Sequence, residues 1–170
     1  MTVPLMTRPG LTRALTAVRG AEIGLLRAVA LDIVAIGKGE ALLGLGPGAI
    51  DLMRAATGPT SVDLQAHATA DGCATTFLGR ARRGIAVSAH LSVVAGEGQE
   101  YLRAAIRLVG THGSVLVDLL GPRLDVRTAT GRKHVPFGAP GADVPTSDAA
   151  EALSAIAESA RSGRTVSITW

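Results

Sequence analysis

The sequence predicts an α+β fold, with a large, mostly antiparallel open sheet and helices packed on one face. Residues from about 60 to 137 alternate apolar and polar side chains between glycine turns, which is typical of half-buried strands. Three other segments repeat apolar residues at the spacing of an amphipathic helix. A chain of 170 residues has room for about one domain, and we expect residues 1–170 to form it.

The composition indicates a globular chain with a core of small aliphatic side chains. Hydrophobic residues make up 47% of the sequence, yet it contains only two phenylalanines, one tyrosine and one tryptophan. The apolar content therefore comes mainly from alanine, valine, leucine and isoleucine, which a disordered chain would lack. Any apolar pocket should be lined by these residues, so its specificity should come from shape and a few polar groups.

The first third of the chain predicts a helix, a strand and a second helix. Apolar residues at helical spacing run from Pro9 to Arg19 and stop at Gly20, a residue typical of helix ends. Residues 25–36 are rich in valine, isoleucine and leucine and run into a glycine loop, which predicts a strand. Proline is favoured at the first position of a helix, so we expect the second helix over residues 47–57.

From residue 60 the pattern predicts a run of strands joined by short turns. They cover residues 61–69, 75–82, 85–94, 103–109, 114–120, 123–130 and 133–137. Strands so close in sequence should pair antiparallel with their neighbours in the chain.

The end of the chain predicts one more helix and a last strand. Apolar residues recur at helical spacing over residues 149–160, with Thr146 or Ser147 as the N-cap and Gly163 as the stop. Residues 166–170 then alternate as a terminal strand.

The charge balance argues against several classes of partner. The chain has a net charge of +3, and its tightest basic cluster, Arg80, Arg82 and Arg83, is too small for a nucleic-acid surface. The longest apolar stretch, residues 23–36, is interrupted by charges and is shorter than the roughly 20 residues of a membrane span. Because the N-terminal residues also lack the pattern of a secretory signal, we expect a cytoplasmic protein with no nucleic-acid or membrane partner.

The cysteine and the histidines do not predict a metal site. Cys73 is the only cysteine, and we interpret it as a small buried hydrophobe rather than a nucleophile. The four histidines form no i, i+4 pair and have no cluster of acids beside them.

A glycine motif after the first predicted strand resembles a dinucleotide fingerprint. Gly37-Lys-Gly39-Glu-Ala-Leu has the spacing G-x-G-x-x-L, close to G-x-G-x-x-A, and Asp63 follows about where a ribose-binding acid belongs. The signals for helix initiation lie at Pro47 instead, which would displace a phosphate from the helix N-terminus. The segments after residue 60 also predict antiparallel strands, so we expect no dinucleotide cofactor.

Four segments together resemble a known family. They are Gly39-Glu-Ala-Leu-Leu-Gly-Leu-Gly-Pro-Gly-Ala-Ile-Asp51-Leu-Met, the closing Glu151-Ala-Leu-Ser-Ala-Ile-Ala-Glu-Ser-Ala-Arg-Ser-Gly-Arg-Thr-Val, Val109-Gly-Thr-His-Gly-Ser-Val-Leu-Val117 and Ala21-Glu-Ile-Gly-Leu-Leu-Arg-Ala-Val29. In order and spacing they are similar to the C-terminal domain of the glucose-fructose oxidoreductase/inositol dehydrogenase (Gfo/Idh/MocA) family.

The resemblance implies a domain that lacks its usual cofactor partner. Members of that family carry an N-terminal NAD(P)-binding fold with a catalytic lysine in a Glu-Lys-Pro motif, and a C-terminal α+β domain whose open sheet forms substrate site and subunit contacts. This chain resembles the second part alone, and its two lysines, Lys38 and Lys133, lie in no such motif. We therefore expect no cofactor.

The resemblance also implies that two family site residues are replaced. The family's aspartate and histidine fall on Gly44 and Gly48, while a later aspartate is kept as Asp51. In relatives the histidine assists proton transfer, and glycine has no proton to give. Two glycines where relatives hold substrate would open volume and favour an apolar ligand, so we expect Gly44 and Gly48 to contribute to substrate binding.

A polar group on the predicted sheet is the candidate site. It comprises the candidate catalytic residues Asp63, His67 and His90 and the candidate substrate-binding residues Gln65 and Ser88. A histidine near a carboxylate can shuttle protons around neutral pH. The first hypothesis is a cofactor-independent domain that binds a small, largely apolar metabolite and isomerises or cyclises it. The alternative is that these groups only solvate an exposed sheet.

The second hypothesis is a non-catalytic binding or scaffolding subunit. Alternating charges on one sheet face can pair across strands and between subunits, so the sheet would join a second copy or a separate NAD-dependent dehydrogenase chain. The charges concerned are Arg103, Arg107, Asp118, Arg123, Asp125 and Arg127. A solvated face explains these charges equally well.

Overall fold

The structure is a computed structural model that describes residues 8–98, 100–121, 123–128, 130–134 and 149–170. The predicted strand beyond residue 134 and the predicted caps Thr146 and Ser147 lie outside these residues.

The described residues form three helices and nine strands. The helices are α1 (Pro9–Arg19), α2 (Ala41–Thr57) and α3 (Ala150–Ser162). The strands are β1 (Leu26–Gly37), β2 (Ser61–Ala68), β3 (Ala74–Ala81), β4 (Ile85–Ala95), β5 (Glu100–Gly110), β6 (Gly113–Asp118), β7 (Arg123–Thr128), β8 (Gly131–His134) and β9 (Val166–Thr169). The predicted α+β class is confirmed.

All nine strands belong to one sheet, in the order β8-β7-β6-β5-β1-β4-β3-β2-β9. Most neighbours pair antiparallel as predicted, but β4 and β5 do not pair with each other. β1 lies between them, parallel to β4 and antiparallel to β5. The expectation that every strand pairs with its neighbour in the chain is therefore wrong at this point. The central place suits β1, because its inward residues Val29, Leu31 and Ile33 are almost completely buried.

The two faces of the sheet differ, as strand alternation requires. One face carries the buried aliphatic core and is covered by the helices, with α2 over β1, β3 and β4 and α3 over β2 and β9. The other, which we call the open face, carries polar residues and also Leu78, Val94, Leu102 and Leu116, whose exposed fractions range from 36% to 59%.

Helix α2 begins six residues before the predicted start, at Ala41, and contains Pro47 in its interior. Burial of Ala41, Leu42 and Leu45 explains the longer helix. The stabilisation from this burial exceeds the loss of the one helical hydrogen bond that Pro47 cannot donate. The Ala41 amide donates to the Gly72 carbonyl at 2.9 Å, which anchors this end of the helix. The helix thus follows the glycine motif directly, and the predicted start at residue 47 was wrong.

The pairing of β1 still differs from a dinucleotide-binding unit. That unit needs the strand after the helix to lie parallel in the same sheet, close to the first. Here α2 leads to β2, and both β4 and β3 lie between β2 and β1. Within the described residues no helix is long and apolar enough to cross a bilayer.

Candidate functional site

The two candidate histidines lie in one row across the open face. The register places His67 opposite Thr76, Thr76 opposite His90, and His90 opposite Asp32. The Thr76 hydroxyl and Nδ1 of His90 are 2.9 Å apart and share a hydrogen bond. Sequence reasoning brought His67 and His90 to the same face, but it missed Thr76 and Asp32, because strand order decides which residues become neighbours.

The carboxylate next to His90 belongs to Asp32 and forms an ion pair with Arg103. Nε of Arg103 lies 2.9 Å from Oδ2 of Asp32, and both side chains are in contact with solvent. An exposed ion pair of this kind contributes little to stability. Both histidines of the row are exposed to solvent.

The other open-face candidates are spread out and partly structural. The Gln65 amide donates to the Gly163 carbonyl at 2.9 Å, which connects β2 to the end of α3. Asp63 accepts a hydrogen bond from the Ser167 hydroxyl on β9. Ser88 stands opposite Ala30 and Leu78, one row from His90. These side chains do not converge on one point.

The two candidate glycines lie on the other side of the sheet. Gly44 and Gly48 belong to α2, and a Cβ atom built on either meets no atom within 4 Å. The structure therefore divides the candidate residues between two surfaces and brings neither glycine near His67 or His90. Asp51 is also on α2 and is buried.

A cleft lies next to Gly44, and we call it the α2 cleft. It lies where the parallel strands β1 and β4 both end, beside the first turn of α2, and its cavity volume is about 90 Å³. Its lining is Ala35, Ile36, Gly37, Lys38, Glu40, Gly44, Leu45, Val93, Glu100 and Tyr101. Four of these residues are aliphatic, two are glycines, and the exposed charges are Lys38, Glu40 and Glu100.

Tyr101 is the polar group of the α2 cleft that sequence reasoning missed. It is half-buried and packs against the hydrophobic core. Burial raises the pKa of its phenol, and the guanidinium of Arg8 offsets part of this rise. The hydroxyl therefore stays protonated at neutral pH and can donate a hydrogen bond. The one signal in the sequence that could have pointed to Tyr101 is that it is the only tyrosine.

The remaining chemistry-bearing side chains form no centre. Within the described ranges, no three histidine, cysteine or acidic residues are grouped so that they could hold a metal ion. Cys73 is half-buried beside the β2–β3 turn, and burial together with the Asp71 carboxylate raises the pKa of its thiol. A raised pKa disfavours the thiolate and therefore a nucleophilic role.

Comparison with known proteins gives matches in structure only. No family model matches the chain, and no curated protein matches its sequence. A proposed oxidoreductase from Thermotoga maritima matches with a TM-score of 0.80 and 17% identity, covering 97% of this chain and 62% of that chain. Levoglucosan dehydrogenase in complex with NADH and levoglucosan matches with a TM-score of 0.77 and 15% identity, covering 97% and 65%. Aldose-aldose oxidoreductase from Caulobacter crescentus, complexed with glycerol, matches with a TM-score of 0.70 and 15% identity, covering 97% of this chain and 62% of that chain.

These solved structures are Gfo/Idh/MocA-type oxidoreductases, and the matched part corresponds to their C-terminal domain. The chain therefore has the fold of that domain, and the resemblance predicted from sequence is confirmed at the level of the fold. This chain spans less than two thirds of the length of each of these proteins.

Proposed function

We propose that residues 1–170 act as one small-molecule-binding domain whose ligand occupies the α2 cleft. The observation that carries the proposal is the position of Gly44, which leaves the cleft open beside the ends of two parallel strands. Ligands in open sheets commonly bind outside the carboxyl ends of parallel strands. The cavity volume of about 90 Å³ limits the ligand to a small metabolite.

The ligand is small and largely apolar, and its binding requires no dinucleotide. Ala35, Ile36, Leu45 and Val93 line the cleft, and Gly44 supplies no polar side chain. The NADH and levoglucosan of levoglucosan dehydrogenase belong to a longer protein, of which this chain matches 65%. Sugars and dinucleotides are accordingly the competing ligand classes in the test.

The proposed activity is isomerisation or cyclisation of the bound compound in the cytoplasm. Such reactions need a group that takes a proton and one that gives it back. Glu40 and Glu100 are carboxylates at the α2 cleft, and Tyr101 is a protonated phenol in it. The candidate shuttle of His67 and His90 lies on the opposite face, so it would serve a separate ligand on the open face.

The test compares one leucine placed in the cleft with one placed beside it. Gly44→Leu adds a side chain that leans towards the helix N-terminus and across the cleft. Gly48→Leu makes the same change one helical turn away, at a residue that does not line the cleft. Both positions have open space for a Cβ atom, so both variants should fold.

Binding is measured by ¹H–¹⁵N NMR titration with cyclopentanone, cyclopentane, levoglucosan and NADH. We expect the cyclopentane derivatives to shift amides around the α2 cleft in the wild type and in Gly48→Leu, and to shift none in Gly44→Leu. Equal binding by both variants would overturn the proposal. Tight binding of NADH by the wild type would overturn its cofactor-independent part.

A second candidate function is self-association through the open face. Four exposed aliphatic side chains, Leu78, Val94, Leu102 and Leu116, lie among arginines and aspartates there. Apolar groups rimmed by charges of both signs are typical of a protein–protein interface. The preferred partner is a second copy of the chain, and a separate NAD-dependent dehydrogenase chain is the alternative.

A further inference from the structure

An irregularity in β5 places Tyr101 at the α2 cleft. Along β1, Val34 pairs with Arg103 and the next residue, Ala35, pairs with Tyr101. Leu102 is therefore an extra residue with no partner on β1, which is the arrangement of a β-bulge.

The bulge reverses the face on which Tyr101 lies. In a regular strand, residues two apart share a face, so Tyr101 would join Arg103 on the open face. Instead Tyr101 shares the side of Ala35 and lines the α2 cleft, while Leu102 is 52% exposed beside Arg103. Bulges often re-aim a side chain beside a functional site.

The Tyr101 hydroxyl has no hydrogen-bond partner among the described residues, whereas its ring packs against the core. Lys38, Glu40 and Glu100, the charged residues that line the same cleft, are exposed to solvent. Among the side chains that line the cleft, Tyr101 is thus the one that carries a neutral hydrogen-bond donor.

The charges of the cleft restrict the ligand further. Lys38 and the Arg8 guanidinium that acts on the phenol balance the carboxylates of Glu40 and Glu100, so the charges around Tyr101 sum to zero and a neutral ligand suits the cleft. A phenol donates to oxygen more readily than it accepts, so its best neutral partner is a carbonyl group. A hydrocarbon alone would leave the hydroxyl without a partner.

We propose that the α2 cleft takes small cyclic or branched aliphatic ligands that carry a carbonyl oxygen, and that Tyr101 determines this specificity by donating a hydrogen bond to it. The inference rests on the proposed function, since it concerns the same cleft. It assigns Tyr101 a positioning role and adds a ligand class.

The test uses Tyr101→Phe, which keeps the ring and removes only the hydroxyl. Cyclopentanone and cyclopentane differ by the carbonyl oxygen, so they form a matched probe pair. We expect Tyr101→Phe to weaken cyclopentanone binding about fivefold, the size of one net hydrogen bond. Cyclopentane binding, measured by the same NMR titration, should not change.

A second readout needs no variant. Tyr101 is the only tyrosine, so its phenolate absorbance near 295 nm reports its ionisation alone. A ligand that accepts a hydrogen bond from the phenol stabilises the protonated form, so saturating cyclopentanone should raise the pKa of Tyr101. Cyclopentane removes only water from the hydroxyl and should raise the pKa less.

The outcomes separate this inference from the proposed function. If Gly44→Leu abolishes binding of both probes but Tyr101→Phe weakens both equally or neither, the carbonyl specificity is overturned and the α2 cleft stands. If Gly44→Leu leaves both probes bound, the cleft itself is overturned. Equal pKa shifts with the two probes would also contradict a hydrogen bond from Tyr101.

Discussion

At the scale of single residues, one buried hydroxyl connects α3 to the sheet. Ser159 is fully buried, and its Oγ accepts a hydrogen bond from the Ala66 amide at 3.0 Å. The same hydroxyl donates to the Arg164 carbonyl at 2.6 Å. One side chain thus satisfies a buried amide of β2 and a carbonyl after the helix.

Replacing Ser159 by alanine should destabilise the protein by about 1–3 kcal/mol, because the Ala66 amide would remain buried without a partner. The control is Ser154→Ala, at an exposed position of the same helix, which should change the free energy of unfolding by less than about 0.5 kcal/mol. Urea denaturation of the two variants measures the difference. A loss no greater than that of the control would show that the bond contributes nothing.

The surface ion pair between Arg13 on α1 and Glu22 should make a small contribution to stability that depends on pH. Nη1 and Nη2 of Arg13 lie 2.9 and 3.0 Å from the two carboxylate oxygens of Glu22. The hydrogen bonds from Arg13 lower the pKa of Glu22 from its ordinary value of 4.5. Because the folded pKa is the lower one, the stabilisation is present above pH 4.5 and is lost as the pH falls through the folded pKa.

Glu22→Gln should therefore lower the free energy of unfolding by less than about 1 kcal/mol at pH 7, since both side chains are partly exposed. At pH 3 the loss should be smaller still. Denaturation of wild type and variant at the two pH values tests this. A difference that does not change with pH would contradict the role of the carboxylate charge.

At the scale of the elements, α2 carries glycines with opposite surroundings. Gly44 and Gly48 have open space where a Cβ would be, whereas a Cβ on Gly46 would lie 2.4 Å from Cδ2 of Leu153 on α3. Glycine costs up to about 1 kcal/mol relative to alanine inside a helix.

We expect Gly44→Ala and Gly48→Ala each to raise stability by about 0.5–1 kcal/mol. Gly46→Ala should gain less or lose stability, because Leu153 must move. Thermal denaturation of the three variants gives the ranking. If Gly46→Ala were the most stabilised, the close packing of α2 on α3 would be refuted.

Most elements follow from local pattern, whereas the start of α2 and the face of Tyr101 do not. The strands agree with their predicted bounds to within a few residues, because alternation and glycine turns are local signals. Pro47 suggested a helix start, but burial of Ala41 and Leu42 against distant residues decides the matter. The bulge at Leu102 depends on the register with β1, which no local pattern contains.

At the scale of the whole molecule, the strand order determines which candidate residues meet. The sequence predicted both Gly44 and His90 as site residues, and the sheet separates them onto its two sides. Among the residues that the structure describes, the same order leaves one face without helices. That face should carry self-association, if the second candidate function holds.

Leu102→Lys and Leu116→Lys should each shift a self-associated form towards monomer in sedimentation velocity at micromolar concentration, because a lysine would be buried in the interface. Leu43→Lys is the matched control, since Leu43 is 67% exposed but lies on α2. A wild type that stays monomeric, or a control that dissociates equally, would refute the interface.

The central position of β1 also bears on the order in which the protein can fold. Ala28 pairs with Ala86 on one side and Val109 on the other, so β1 has no strand partner until much of the chain is made. Pairing between residues so distant in sequence slows folding. During synthesis the most apolar strand therefore emerges first and waits unpaired, which makes the nascent chain most prone to aggregation before β4 and β5 arrive.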